Sequence, residues 1–464
     1  MVYVFGTRID YVLAQLKNMN LRFYITTLFV FLTFKGVAQQ TWTLDDCVAY
    51  AIEHNLQVKN TNFNMDSSKE SYRQSVRDLL PSVNGSTDYT IRYGRSPDPN
   101  TNTYVNTDFF SNNYSIGANL DIFRGFQKMN MIKATKFIYR ASEEDIDQEK
   151  FMLAFRVMSA FYDIKYYEGL LANSLEQQEL SQANYDLVEK QVELGLKAGS
   201  DLYEAESNLL GDKFLVTQNR NLLADAKLIL LQEMNLIGQN DIELEKNLNY
   251  APEIEEQGVA LDSLYETARG FVPLVKSQEY RVTAAKKQLQ ATRGSLYPSL
   301  SLIAGIGTSY FETNVDDNGN LIPFRTQFKD NSSKYVGASL NIPISNGWSN
   351  HSRVKQQKIA FQQAKNNLEI QEQELFKVLQ QLVQSNRALV SEYEQSTKRM
   401  ESQKLAFTIA QKRYERGLIN ALELFQAKNL FGVAQNENLQ VALRLKVNQS
   451  TIDFYNGLPI FNIN

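Results

Sequence analysis

Acidic side chains recur just past two glycines at equivalent points of the chain, and they are the strongest candidates for chemistry. Asp201 and Glu204 follow Gly195, and Glu423 follows Gly417, with Gln426 one turn further on. Each glycine suits a left-handed helix stop. Ser200 and Asn420 are suited to cap the helices that follow. An acid in a first turn closes a capping-box-like pair and complements the helix dipole. Gathered around an axis, the same carboxylates would instead form an anionic constriction that favours cations. Arg413, Tyr414 and Arg416 stand just before Gly417 and are candidate braces for such a constriction.

No other constellation supports chemistry. His54 and His351 are the only histidines, and neither has a metal-ligand spacing. Cys47 is the only cysteine, so no intrachain disulfide can form. There is no phosphate loop, no metal cluster and no nucleophile–base pairing, so neither an enzyme nor a cofactor is expected. A net charge of −4 implies no basic surface for nucleic acid.

The elements that would position these acids are long helices. Gly125 to Gly195 and Gly347 to Gly417 are both proline-free intervals of 70 residues. At ~1.5 Å per residue each would make a helix approaching 100 Å. Leu375, Leu379, Leu382, Leu389 and Tyr393 fall on alternating four- and three-residue steps, with Asn386 in the gap. Leu153, Val157, Ala160, Ile164, Tyr167 and Leu171 do the same, so both helices carry coiled-coil seams.

The chain is an internal duplication. LDDCVAYAIEHNLQVKN from Leu44 aligns without gaps to LDSLYETARGFVPLVKS from Leu261, an offset of 217 residues that also pairs Pro81-Ser82 with Pro298-Ser299. GANLDIFRGF from Gly117 matches GASLNIPISNGW from Gly337, and GLKAGSDLYEAESNLL from Gly195 matches GLINALELFQAKNLF from Gly417. Between helices each half alternates with a period of two. In the first half the strands are SVNGSTDYTIR and YSIGANLDI, separated by a polar loop near 93–112. In the second they are SLSLIAGIGTSY and KYVGASLNI, separated by a polar loop near 312–333. Strands of about ten residues with one apolar face match membrane β-barrel strands. Ile116, Leu120, Leu340 and Ile342 are expected to face lipid, and Asn119, Asp121, Ser339 and Asn341 the interior.

Ahead of the repeats, the apolar run from Phe23 to Phe34 follows Asn20-Leu21-Arg22 and precedes Gly36-Val37-Ala38. It is too short to span a bilayer and reads as an export signal over residues 1–38, with Met19 as a second candidate start. The expected organisation is then a first repeat over 39–240, a linker over 241–260, a second repeat over 261–458 and a tail over 459–464.

The ordered, duplicated set of motifs resembles the outer membrane efflux protein (TolC) family. WTLDDCVAYAIEHN, the Leu-x-Pro-Ser at Leu79 and Leu296, DIFRGF from Asp121 and the two Gly-Leu turns carry the resemblance, which covers essentially everything after residue 40. Leu56 departs from it, standing where the family usually has proline; Pro273 keeps the pattern in the second half. The resemblance implies a mainly helical fold with membrane β-structure. Tandem helix–strand–strand–helix repeats from three chains would form a long α-helical barrel continuous with a shared twelve-stranded transmembrane barrel. It implies a passive outer-membrane duct for efflux or type I secretion, with a large periplasmic portion, in a Gram-negative bacterium. Its partners would be two further copies of the chain, outer-membrane lipid, a periplasmic adaptor docking on Gly195, Leu196, Gly417 and Leu418, and an inner-membrane pump. It makes Asp201, Glu204, Glu423 and Gln426 candidates for the periplasmic gate. In the family the second-half tip carries two acids one turn apart, and here Gln426 replaces the second. The alternative is a periplasmic adaptor or structural coiled-coil protein that never enters the outer membrane; it would lack two strand pairs with apolar faces.

Overall fold

The computed structural model describes residues 41–98, 101–239, 241–245, 260–459 and 461. The first half runs α1 (Leu44–His54), α2 (Leu56–Arg77), β1 (Ser82–Arg92), the short β2 (Arg95–Pro97) and β3 (Tyr104–Asn106), β4 (Phe109–Arg124), α3 (Gln127–Glu193) and α4 (Gly199–Glu233). The second half runs α5 (Leu261–Phe271), α6 (Pro273–Gly294), β5 (Ser299–Phe311), α7 (Phe324–Asp330), β6 (Ser333–Asn341), α8 (Ser349–Glu415) and α9 (Ala421–Tyr455). The expected export signal over 1–38, and residues 246–259 of the expected linker, lie outside the described residues.

The chain bends at the same point of each half for two different reasons. Between α1 and α2, Asn55 has an extended backbone (φ −67°, ψ 128°), and its Oδ1 accepts from the N–H groups of Gln57 at 2.8 Å and Val58 at 3.3 Å. Between α5 and α6, Val272 adopts nearly the same angles (φ −60°, ψ 121°), and Pro273 takes the first helical position. A side-chain cap in one half and a pre-set proline φ in the other therefore produce the same bend. The chain thus bends before Leu56 without a proline.

The four main strands form one antiparallel sheet in the order β1-β4-β5-β6. The register fixes its two faces, because directly opposed residues share a side. Ile116 opposes Gly85 and Ile306; Leu302 opposes Leu120 and Ala338; Leu300 opposes Leu340. These residues, with Val83, Ala118 and Val336, make one apolar face. Ser86, Ser115, Asn119, Asp121, Ser301, Ser339 and Asn341 fall on the other. The expected grouping of strand residues into two faces holds, and Ile342 lies just past β6. One detail differs. A bulge between Asp121 and Phe123 leaves Ile122 without a cross-strand partner, so strict alternation ends there. The loops also carry more structure than a polar composition indicates. β2 and β3 pair within the first, β4 begins at Phe109, and α7 occupies the second.

The long helices are as continuous as the proline-free intervals predict: α3 and α8 are each 67 residues, whereas α4 and α9 are each 35. Near the sheet α3 packs between α2 and α6, through Ser75–Thr135 and Phe137–Tyr280 contacts. Further down it packs between α4 and α9, through Ser181–Asp212 and Asn173–Asn436. The lateral order is thus α2-α3-α6-α8 near the sheet and α4-α3-α9-α8 below it. Leu153, Val157, Ala160 and Ile164 of the first seam are buried against Val48 and Ala51 of α1 and Leu230 of α4, and Leu375 and Leu379 of the second against Leu264 and Ala268 of α5. A bridge of Trp42 to residues 243–245 closes this middle region. Buried Lys165 serves it by donating to the Glu245 carbonyl at 2.7 Å and to Glu168 Oε2 at 2.9 Å.

The turns from strand to long helix use a glycine–aromatic pair in both halves: Gly125-Phe126 and Gly347-Trp348, all four residues at positive φ. Their surroundings differ. A Cβ on Gly125 would lie 2.3 Å from the Gly294 carbonyl oxygen and 2.9 Å from Tyr297 Cβ, whereas Gly347 faces open space. Gly347→Ala should therefore cost only the left-handed penalty, about 1–2 kcal/mol. Gly125→Ala must also move backbone and should cost clearly more. Thermal melting of the two variants checks this; equal shifts would show that the Gly125–Gly294 contact relaxes freely.

Candidate functional site

The two turns farthest from the sheet are built alike. The N–H of Leu196 bonds the Gln191 carbonyl at 2.8 Å and that of Gly195 bonds Val192 at 2.9 Å; Leu418 and Gly417 repeat this with Arg413 and Tyr414. Both are Schellman stops, with φ of +69° at Gly195 and +70° at Gly417. They leave Leu194, Leu196, Leu418 and Leu422 exposed, giving the free end of the molecule an apolar rim.

Past the stops, the two helix starts differ. Asn420 caps α9, its Oδ1 accepting from the Glu423 N–H at 2.9 Å. Ser200 does not cap α4. That helix begins at Gly199, after Ala198, and Asp201 Oδ2 accepts from the Ala198 N–H at 3.3 Å. The carboxylate at the third helical position does the capping, so the helix starts before the serine. Asp201 is thus half-buried and engaged in a backbone bond, while Glu204, Glu423 and Gln426 are exposed.

Of the candidate braces, Tyr414 joins the two hairpins: Lys197 Nζ lies 3.1 Å from its hydroxyl and 5.1 Å from its ring centroid. Arg413 and Arg416 are exposed and form no ion pair among the described residues.

A second link, which motif reading did not single out, lies deeper. Lys428 of α9 bonds Asp212 of α4 at 2.5 Å and Ser181 of α3 at 2.6 Å, and Ser181 also donates to Asp212. All three residues are buried, with the Lys428 and Asp212 side chains 6% and 7% exposed. The signal was in the spacing. Leu424, Lys428 and Phe431 take four- and three-residue steps, as do Leu209, Asp212 and Val216, so each charge occupies a seam position. Between the two links lies a cavity of about 200 Å³ lined by Leu180, Leu187, Phe407, Tyr414, Leu424 and Phe425. The hairpins therefore touch through a tyrosine–lysine contact near the rim and a buried ion pair above it, with looser apolar packing between.

Removing one partner of a buried ion pair strands the other charge, at about 3–5 kcal/mol, whereas replacing both with apolar residues is often neutral. Lys428→Met should therefore destabilise the protein strongly, and Lys428→Met combined with Asp212→Leu should recover most of the loss. Melting of the two single variants and the double variant checks this; additive losses would refute the coupling.

Comparison with known proteins agrees with this geometry. The family model for outer membrane efflux proteins matches residues 48–235 and 264–458. The chain is 21% identical over 417 residues to the cation efflux system protein CusC of Escherichia coli K12, covering 89% of this chain and 85% of that protein. Its fold is similar to a crystal structure of CusC, with a TM-score of 0.75 at 19% identity over 89% of this chain and 92% of that one. It is also similar to the outer membrane channel CmeC of Campylobacter jejuni, with a TM-score of 0.76 at 16% identity over 89% of this chain and 85% of that one. A duplicated helix–strand–strand–helix chain with a four-stranded sheet at one end and two Schellman-stopped hairpins at the other belongs to the outer membrane efflux protein family.

Proposed function

We propose that three copies of this chain assemble into one duct through the outer membrane, passive in itself and gated at the Gly195 and Gly417 turns. A periplasmic adaptor and an inner-membrane pump would drive material into it. The observation that carries this reading is the coincidence of open edges at every level. The sheet ends in β1 and β6, each with an unpaired row of backbone N–H and C=O groups. The helical layers end in α2 or α4 on one side and α8 on the other. Exposed apolar residues mark the helical edges: Tyr203, Leu210, Phe214 and Leu228 on α4, and Ile359, Ile370, Leu405 and Ile409 on α8. In hydrocarbon an unpaired strand edge costs several kcal/mol per group, so the sheet closes through other copies. The polar face of the sheet, carrying Asn119, Asp121 and Asn341, then lines the pore, and the apolar face meets lipid.

At the far end, repetition about the axis gathers the copies of Asp201, Glu204 and Glu423. Like charges repel, so closure rests on other contacts, and the Lys197–Tyr414 bond supplies one within each copy. The buried Lys428–Asp212 pair serves as the fixed point above it. An adaptor seated on Leu196 and Leu418 opens the turns by binding the open state more tightly. The similarity to an efflux component such as CusC supports this partnership.

The assembly is checked by native mass measurement in detergent. A trimer is expected, and a well-folded monomer would refute the shared barrel. The gate is checked by single-channel recording in planar bilayers. Asp201→Ala with Glu423→Ala should reduce cation preference and block by multivalent cations, and Tyr414→Phe should raise resting conductance. Unchanged selectivity and block would leave these carboxylates as helix caps alone.

A further inference from the structure

The short helix α7 lies on the apolar face of the sheet, at the end away from the long helices. Its Phe324 ring is 5.4 Å from Tyr310 and 6.2 Å from Tyr114, and its Phe328 ring is 5.5 Å from Tyr114. Phe110 continues the contact to Tyr310 at 5.4 Å and to Tyr89 at 5.5 Å. By register all four strand residues belong to the apolar face. The rings therefore form an unbroken band across three strands and onto the helix. Aromatic bands of this kind sit at the boundary between hydrocarbon and headgroups.

The helix is held firmly against the sheet. Gln327 is 1% exposed; it donates to the carbonyls of Phe311 at 3.0 Å and Ile322 at 2.8 Å, and accepts from the Phe311 N–H at 3.0 Å. Asn331 donates to the Ser309 carbonyl and Thr308 to that of Phe328, both at 2.7 Å. This anchoring leaves Arg325 and Lys329 exposed one turn apart. Lys334 follows at the start of β6, opposite Ile306, on the same apolar face of the sheet that carries α7. None of the three cations has an ion pair among the described residues, and Asp330 is the one acid on α7. A lysine on a lipid-facing strand position is costly at mid-membrane and nearly free at the interface.

We propose that Arg325, Lys329 and Lys334 bind the phosphate groups of an anionic outer-leaflet lipid, with Phe324 and Phe328 seated at the same level of the membrane. The proposal rests on the membrane-duct reading. Its chemistry is a rigid aromatic shelf that fixes depth, beside three cations that outnumber the one acid of α7 and form no ion pair among the described residues.

The test titrates the detergent-solubilised oligomer with diphosphoryl lipid A, with dephosphorylated lipid A and inorganic phosphate as controls. At about fivefold per basic residue, R325Q/K329Q/K334Q should bind diphosphoryl lipid A on the order of 100-fold more weakly. It should still assemble and conduct. The charge-retaining R325K/K329R/K334R should bind like the parent chain, which guards against loss of folding. Equal binding by the charge-free variant, or equal binding of dephosphorylated lipid, would overturn the proposal. Full competition by inorganic phosphate would show a free-anion site and overturn the lipid assignment. Failure of the parent chain itself to insert and conduct would instead refute the duct reading.

Discussion

Backbone hydrogen bonding at the edges of a four-stranded sheet is the constraint on which the rest of this molecule depends. β1 and β6 each have one paired neighbour. A lipid environment offers no water to satisfy the other side. In the proposed assembly the sheet closes through copies of itself, and the helices below it then have no freedom to close within one chain. They inherit the same two edges, with α2 and α4 on one side and α8 on the other. The sparse core of each protomer follows from this. Burial concentrates where α1 and α5 brace the long helices, while apolar residues elsewhere on α4 and α8 remain uncovered.

The duplication works because each half solves the same geometric problem with whatever residues it has. Asn55 and Pro273 set one bend by unrelated means. Gly125-Phe126 and Gly347-Trp348 make the same left-handed step from strand to helix, yet only the first is pressed against another backbone, at Gly294. The halves thus agree in path and differ in environment. This divergence is permitted because α6 packs against α3 and α8, so the second half's helix occupies space beside the first half's turn.

Much of this was legible from residue patterns. Which strand residues share a face could be read because side chains alternate with a period of two, and the register bears out the grouping of Ile116 with Leu120 and of Asn119 with Ser339. Helix extent could be read because proline is absent over both 70-residue intervals. Three features were hidden for physical reasons. The α7 segment FRTQFKD is too short to show helical periodicity inside a polar loop, and its place depends on Gln327 reaching the backbone of Phe311. The cap of α4 was misplaced because a carboxylate at Asp201 competes with the Ser200 hydroxyl for the same end. Lys428 and Asp212 belong to no motif, and a pair 216 residues apart is recognised only when both seams are laid side by side.

That buried pair has a consequence for length. Helices joined by repeating apolar seams can trade one heptad for the next, sliding by about 10 Å with modest loss of contact. A single charged couple in such a seam is satisfied at one axial offset only, because any slip buries an unmatched lysine and an unmatched aspartate. Lys428 and Asp212 therefore act as a key that sets how far α9 travels against α3 and α4. The two Gly-Leu turns consequently end at one fixed axial offset from each other, and the Lys197–Tyr414 contact near the rim depends on that offset.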